Sequence, residues 1–251
     1  MRTSGPPLRR PGPTASRFRV RRRFLWGAAL LLAALVGVLS LTQAPWAEAA
    51  ASAPRVVDVP SRPAFVRPPG RSEQQAKARQ VLAGRSVLRT QKPGRLQVQL
   101  PNGRNFRLGG DAVLRLAPSG LDLERGQIIA WVDPGAKGGA PLRVRTRVGT
   151  ASIEGTTVFL EVADDQVTLF SWEGLVRVTP EVGAGGADPA VPLESGWQMS
   201  FQNGSWQSPR RLTPSEARER RRQSILLNGF EAPMATLPVI ERELGIHQPE
   251  R

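Results

Sequence analysis

Apolar residues recur at every second position in short runs between residues 85 and 206. Each run is closed by Gly, Pro, Asn or Asp, and alternation with a period of two is typical of half-buried β-strands. The clearest pair is LQVQL at 96–100 and NFRL at 105–108, with Asn102 and Gly103 between them. Asn-Gly supplies the positive φ angles of a tight turn, so this stretch predicts an antiparallel hairpin.

The same pattern continues over the rest of this region. The further runs are AVLRL at 112–116, LDLERG at 121–126, QIIAWV at 127–132, LRVRT at 142–146, ASIEG at 151–155, TVFLEV at 157–162, VTLFSW at 167–172 and LVRV at 175–178. A last hairpin is predicted at 195–206, with its turn at Asn203 and Gly204 and with Trp197, Met199 and Phe201 on one face. Because most connections are short, we expect neighbouring strands to pair antiparallel or to stack as a compact β-roll or sandwich. The predicted fold class is all-β.

The segment before this region predicts export. Residues 24–41 are apolar and uncharged, and they follow the cluster Arg21, Arg22 and Arg23. Eighteen residues suit either a long signal-peptide core or a membrane anchor. Small residues at Ala47 and Ala49 predict cleavage after Ala49. The spacing RRxFL resembles a twin-arginine signal, and an ordinary basic leader is the alternative interpretation of the same residues. Both outcomes place the later residues in the periplasm or outside the cell.

The chain therefore divides into five predicted parts. Residues 1–49 are a signal peptide or anchor, 50–72 a Pro-rich extended linker, 73–84 a short helix capped by Ser72, 85–207 the β domain, and 208–251 a C-terminal helix and tail. In the last part Thr213, Pro214 and Glu216 form a predicted capping box, and Gly229 is expected to end the helix.

Charge and composition restrict the function. The net charge is +14, but eight arginines and no acid fall within residues 1–23. Residues 50–251 hold 27 basic and 20 acidic side chains, which leaves +7. An exported protein rarely meets DNA, so no nucleic-acid partner is expected. The absence of cysteine excludes disulfides and thiol chemistry.

Arginines alternate with apolar residues in the predicted strands. In LRVRT, Leu142 and Val144 point to one side while Arg143 and Arg145 point to the other. Together with Arg147, and with Arg115, they form a candidate patch for an anionic partner such as a wall polymer or lipid head groups. Arg218, Arg221 and Arg222 form a second candidate on the C-terminal helix. The alternative in both places is an ordinary solvated surface, with Ile225 and Leu226 packing the helix on the sheet.

The ordered series of motifs resembles the periplasmic FecR domain. The matching stretches are QVQLPNGRNFRL at 97–108, RLAPSGLDLERGQIIAWV at 115–132, LRVRTRVGTASIEGTTVFLEV at 142–162, VTLFSWEGLVRV at 167–178 and VPLESGWQM at 191–199. The resemblance implies a periplasmic, non-catalytic interaction module in which Gly103, Gly155 and Gly174 occupy structural turns. The regulators of this family resemble a device with a cytoplasmic anti-sigma segment, whereas only 23 residues precede the apolar stretch here. We therefore do not expect the sigma-binding role to be inherited.

The sequence contains few residues in arrangements typical of catalytic sites. The only histidine is His247, in the tail, and Asp164 and Asp165 lie where a turn is expected. No cofactor or metal site is expected. Three functions remain open: an exported module that binds an envelope protein or cell-wall polymer, a signalling component anchored through residues 24–41, and a wall hydrolase using an acid such as Glu154 or Glu161.

Overall fold

A computed structural model describes residues 53–136, 140–181 and 189–246. Sixteen strands and three helices occur in these residues. The strands are β1 Arg55–Ser61, β2 Ala64–Arg67, β3 Gln74–Gln75, β4 Val87–Thr90, β5 Arg95–Leu100, β6 Arg104–Ala117, β7 Gly120–Val132, β8 Leu142–Arg145, β9 Gly149–Ile153, β10 Thr157–Val162, β11 Val167–Glu173, β12 Val176–Pro180, β13 Val191–Leu193, β14 Trp197–Gln202, β15 Ser205–Trp206 and β16 Arg210–Arg211. The helices are α1 Pro214–Gln223, α2 Ile225–Asn228 and α3 Leu237–Leu244. The predicted all-β fold class is confirmed.

A long hairpin made of β6 and β7 connects two layers of sheet. Its register shifts between Gly109 and Val113, where Gly110 and Asp111 take positive φ angles. Residues 104–109 of β6 pair with β5, and the facing half of β7 pairs with β10. Residues 113–115 of β6 pair with β4, and the first half of β7 pairs with β8. The bulge therefore divides each strand of the hairpin between the two layers.

We name the layers by what lies on their outer faces. The helix-side layer contains β1, β5, β10, β11, β14, β15 and β16 with the adjoining halves of β6 and β7. The open layer contains β2, β3, β4, β8, β9, β12 and β13 with the other halves. One apolar cluster, which includes Leu96 and Leu160 of the first layer and Leu114 and Val144 of the second, fills the space between them. This packing of two layers agrees with the predicted β-roll or sandwich.

The helix-side layer is apolar on both faces. Ile128 and Leu169 point into the main core, whereas their neighbours Ile129 and Phe170 point outward into a second apolar cluster. Leucines and isoleucines of the C-terminal segment cover this second face. They are Leu212, Leu226, Leu227, Ile240 and Ile246. The expected packing of Leu226 on the sheet is confirmed, but Ile225 is 46% exposed.

The hairpins predicted from Asn-Gly are confirmed. Asn102 and Gly103 have φ angles of 60° and 65°, and Asn203 and Gly204 have 54° and 76°. The boundaries predicted at 108–112 and 126–127 are wrong, because the chain passes through them as a bulge within β6 and as continuous β7. A glycine inside a strand marks a bulge as readily as a turn.

The Pro-rich linker predicted at 50–72 is wrong over its described part. β1 pairs with β5, β2 pairs with β4, and Val56, Ala64 and Val66 are almost fully buried. Pro60 lies within β1, which pairs with only one strand, and an edge position tolerates a residue without an N–H. The β domain therefore begins near residue 55 rather than 85.

The short helix predicted at 73–84 is also wrong. Gln74–Gln75 forms a strand against β2, and the backbone then turns at Arg79, whose φ is 66°. Ala76 and Leu82 are buried, and their N–H groups donate to Ala64 and Pro54 carbonyls. These long-range backbone bonds outweigh the weak helical preference of the side chains.

The C-terminal helix starts as predicted but ends early. Thr213 and Glu216 form the capping box with Pro214 in the first turn. α1 stops at Gln223, because Ser224 adopts an extended conformation and its side chain caps α2. Gly229 ends α2 instead, and α3 follows in the part predicted as a tail.

None of the described helices has the length and apolar character needed to cross a membrane. The predicted signal or anchor at 24–41 and the cleavage site after Ala49 lie outside the described residues.

Candidate functional site

A buried arginine lies between the outer face of the helix-side layer and the C-terminal segment that covers it. Arg107 of β6 is 2% exposed, and its guanidinium donates to Gln97 Oε1 at 2.8 Å and to the Leu226 and Ala232 carbonyls at 2.9 and 2.6 Å. It also lies 4.5 Å from the ring centre of Phe230. Desolvation lowers the pKa of Arg107 to about 10, against the opposing attraction of Asp58. The side chain remains charged at neutral pH and fixes the segment after α2 to the sheet.

A buried carboxyl marks the other end of this face. Glu173 at the end of β11 is 4% exposed, and Thr157 Oγ1 donates to its Oε1 at 2.8 Å. Burial raises the pKa of Glu173 to about 7, with a further contribution from the Glu243 carboxylate of α3. Glu243 in turn accepts from the Gly174 N–H and from Ser195 Oγ. Glu243 therefore joins α3 to the turn after β11 and to Ser195.

The outer face of the open layer carries arginines instead of helices. We call it the arginine face, and it is defined by Arg67, Arg89, Arg115, Arg143, Arg145 and Arg177. Cross-strand partners place Arg67, Val87 and Arg115 in one row, which continues through Asp122 to Arg145. Residues directly opposite on paired strands share a face of the sheet. The side chains of this row therefore lie on one surface.

Three of these arginines have carboxylate partners. Arg89 pairs with Glu73 at 2.5 Å, Arg115 with Glu124 at 3.2 Å and Arg145 with Asp122 at 3.0 Å. Within the described residues, Arg67, Arg143 and Arg177 make no ion pair. The face therefore keeps unneutralised positive charge.

A polar depression of about 370 Å³ lies on the arginine face. We call it the cup. Its lining is formed by Ser119, Gly120, Leu121, Arg143, Arg145, Thr150, Ser152, Thr179 and Glu181. Glu181 Oε1 accepts a hydrogen bond from Thr150 Oγ1 at 2.9 Å. The cup thus offers guanidinium and hydroxyl donors with one engaged carboxylate.

The structure separates the two arginine groups predicted from the sequence. Arg143, Arg145 and Arg147 are exposed, and Arg147 donates to the Asp164 carbonyl at 3.0 Å. Arg218 and Arg222 are exposed on α1, but Arg221 is 4% exposed and pairs with Glu241 at 2.9 Å. The prediction that Arg221 contacts a partner is therefore wrong, because α3 covers this side chain. Burial of one member breaks up the predicted patch on the helix.

The predicted turn glycines have the expected backbone. Gly103, Gly155 and Gly174 have φ angles of 65°, 69° and 72°. At Gly174 an added Cβ would lie 2.5 Å from Thr156 Cγ2, so the turn also requires close approach.

The candidate acids lie at three separate places in the fold. Asp164 and Asp165 form the turn between β10 and β11, Glu154 is exposed after β9, and Glu161 accepts from Gln127 Nε2 at 2.7 Å. His247 lies outside the described residues. Across residues 53–136, 140–181 and 189–246 there is no group of three side chains placed to hold a metal ion.

A larger cleft of about 750 Å³ lies between α1 and the helix-side layer. Its carboxylates already have partners: Glu161 bonds Gln127, Glu216 bonds Arg210, and Glu219 bonds Arg222. Its charged groups largely neutralise one another, unlike those of the arginine face.

Sequence reasoning missed several of these residues. Arg177 was available from the alternation in LVRV, since Val176 and Val178 are buried and Arg177 is exposed. Arg67 lay in the predicted linker. The burial of Arg107 and Glu173 had no sequence signal, because it depends on helices more than 60 residues away along the chain.

Comparison with known proteins finds a matching family model and similar solved structures. The FecR protein family model matches residues 86–177. Two crystal structures from Parabacteroides distasonis, each described only provisionally as an anti-sigma factor, are similar at 19% and 20% identity with TM-scores of 0.41 and 0.38. The matches cover 50% and 47% of this chain and 59% and 55% of those chains. This chain thus spans little more than half the length of either protein.

No curated protein matches the chain. The family match begins just before β4, ends within β12 and contains five of the six arginines of the arginine face. The resemblance found in the sequence is therefore confirmed over residues 86–177, which match the FecR family model.

Proposed function

We propose that this protein is a non-catalytic binding module of the bacterial envelope, which holds an anionic envelope protein or wall polymer on its arginine face. The observation that carries the proposal is the asymmetry between the two layers. An apolar helical segment covers one outer face, whereas the other is open. Of the six arginines of this open face, Arg67, Arg143 and Arg177 make no ion pair with any described residue.

The charge of the open face supports an anionic partner. Exposed ion pairs such as Arg115–Glu124 contribute roughly 0–1 kcal/mol, so their arginines exchange partners at little cost. Arg143 and Arg177 require no exchange. Guanidinium groups bind carboxylates and phosphates through paired hydrogen bonds, which suits recognition of a repeated anionic surface.

Loss of two arginines provides the test. We expect Arg143→Gln/Arg177→Gln in the full chain to weaken binding to purified anionic wall polymer, or to a partner captured from envelope extract, by about tenfold or more. Each lost charge-assisted hydrogen bond is worth on the order of 1–3 kcal/mol. Binding is measured at two salt concentrations, since attraction between exposed charges weakens as salt rises.

The matched control is Arg211→Gln/Arg242→Gln, which removes the same charge from exposed positions outside the arginine face. A third double variant, Arg218→Gln/Arg222→Gln, examines the two exposed arginines of α1. Equal losses in all three would mean that net charge, and not the arginine face, governs binding.

Location in the envelope is part of the proposal. The Arg-rich start, the apolar run 24–41 and the resemblance to a periplasmic domain support export. The second candidate function, an anchored component of a transmembrane signalling system, differs by keeping residues 24–41.

N-terminal sequencing of the mature protein separates these two. A start at Ala50 is expected for the exported module, because Ala47 and Ala49 suit signal peptidase. An uncleaved N-terminus in the membrane fraction would favour the anchored component.

A further inference from the structure

We propose that the cup is the subsite for an anionic group of a polyhydroxy chain, so that the partner is a sugar or polyol polymer bearing phosphate or carboxylate groups. This inference rests on the proposed function and narrows its partner from any anionic surface to one chemical class.

The strand register places the donors of the cup in two rows. Arg143 lies opposite Ser152, and Ser152 lies opposite Arg177. Paired strands are about 4.8 Å apart, so the two arginines bracket the Ser152 hydroxyl across about 10 Å. In the next row Arg145 lies opposite Thr150, which lies opposite Thr179. Arg143 and Arg145 of β8 therefore line one side of a floor of hydroxyl groups, and Arg177, which is not part of the lining, lies next to Ser152 on the far side.

The wall of the cup depends on a close backbone approach. Gly120 has a φ of 153°, and a Cβ added there would lie 2.3 Å from the Arg143 carbonyl oxygen. Any other residue would push the turn between β6 and β7 away from β8. The glycine thus allows Ser119 and Gly120 to close one side of the cup.

The lining favours a polar, charged ligand. Leu121 is its only large apolar residue, and it is 2% exposed. Pockets for hydrophobic small molecules are lined mainly by apolar and aromatic side chains, which are missing from this lining. Arginine and hydroxyl donors instead match the oxygens of a phosphate or carboxylate and of neighbouring hydroxyl groups.

The surrounding face favours a polymer over an acidic protein. Stable protein interfaces depend on a central apolar patch with aromatic anchors. On the arginine face, Phe65 is half-buried and Arg89 lies over its ring at 4.3 Å. The row from Arg67 through Arg115 to Arg145 presents a cation on every second strand, at about 10 Å intervals. Such spacing suits an extended chain with repeated anionic groups.

Not every donor is equally free. Asp122 binds Arg145, and Glu181 stands at the rim beside Thr150. A ligand must displace Asp122 to use Arg145 fully, whereas Arg143 and Arg177 are available. Arg143 and Ser152 are therefore the principal contacts within the cup, and Arg177 adds a positive charge beside it.

The experiment measures binding of the full chain, purified in mild detergent, to four probes. Poly(glycerol phosphate) and alginate are polyhydroxy chains with phosphate and carboxylate groups. Poly-L-glutamate carries carboxylates without hydroxyls, and dextran carries hydroxyls without charge. We expect binding to one or both of the first two, weaker binding to polyglutamate, and none to dextran. The stronger of the first two identifies the anionic group.

Two variants test the cup and the neighbouring Arg177. Arg143→Gln/Arg177→Gln is expected to weaken polyol-polymer binding about tenfold or more. Ser152→Ala/Thr179→Ala keeps every charge and is expected to weaken the same binding about fivefold or more, since two hydroxyl hydrogen bonds are lost. Its effect on polyglutamate should be negligible. Ser208→Ala, at an exposed site outside the cup, is the matched control.

The results distinguish a failure of this inference from a failure of the proposed function. If the arginine variant loses binding but the hydroxyl variant does not, the arginine face binds anions and the cup is not the subsite. Polyglutamate binding as tight as that of the polyol polymers would point to an acidic protein and overturn the inference alone. Unmodified protein that binds none of the charged probes or envelope components would overturn both the inference and the proposed function.

Discussion

Arg107 shows how a single residue changes its role on folding. In the run NFRL it occupies a polar position of an alternating strand, which predicts exposure to solvent. The C-terminal segment covers it, and the carbonyls of Leu226 and Leu227 at the end of α2 accept its hydrogen bonds. A cation is stabilised by the carbonyl end of a helix. The buried charge is therefore satisfied by backbone carbonyls and the Gln97 amide oxygen instead of a direct carboxylate contact.

Glu173 is expected to make stability depend on pH. Burial raises its folded-state pKa to about 7 from an ordinary value of 4.5, so the folded protein binds more protons between these two values. The free energy of unfolding therefore falls as pH rises from about 4.5 to 7 and levels off above. Glu173→Gln should abolish this fall and, at pH 8, stabilise the protein by on the order of 1–3 kcal/mol.

Urea unfolding at pH 5 and pH 8 measures the effect. The control Glu154→Gln changes an exposed carboxyl and should leave the difference between the two pH values as in the unmodified protein. An unchanged difference in Glu173→Gln would contradict the assignment of this pH dependence to Glu173.

Turns and helix caps, which are stabilised by residues close together in the sequence, form where the sequence predicts them. Both Asn-Gly hairpins and the capping box of α1 form where the sequence predicts them. The segment 73–84 behaves differently, because Ala76 and Leu82 make backbone bonds to residues of β2 and to the chain before β1. A short segment of helix-favouring residues has little intrinsic stability, so tertiary contacts decide its conformation.

The cap of α1 gives a prediction for this element. Thr213 Oγ1 accepts from the Glu216 N–H at 3.3 Å, and Glu216 Oε2 accepts from the Thr213 N–H at 2.7 Å. Thr213→Ala removes the hydrogen bond from the Glu216 N–H to the threonine hydroxyl and should lower the free energy of unfolding by about 0.5–2 kcal/mol. Urea unfolding measures the loss. Ser208→Ala serves as the control outside the helix, and an equally small effect in both variants would contradict the role of the cap.

On the scale of the whole molecule, the two faces of the sandwich have different tasks. The C-terminal helices bury the apolar outer face around Ile129, Trp131, Phe170 and Trp172, which would otherwise be exposed to water. The other outer face remains polar and carries the arginines of β2, β4, β6, β8 and β12. One outer surface thus contributes to stability, and the opposite surface is the one for which we propose recognition.

The sequence alone determined what alternation and turn chemistry encode: the all-β class, both Asn-Gly hairpins, the turn glycines, the start of α1 and the outward direction of Arg143 and Arg145. It also carried the FecR resemblance, because that depends on motifs in fixed order. These features arise from interactions between residues close in the chain.

Only the tertiary structure decided which strands pair and which faces are covered. It placed β1 and β2 in the sheet, buried Arg221 beneath α3, and brought Arg143, Ser152 and Arg177 from three strands into one row. The physical reason is that pairing and burial depend on contacts between residues far apart in sequence. Alternation of apolar and polar residues along a strand determines to which face of the sheet each side chain points. It does not determine whether another part of the chain covers that face.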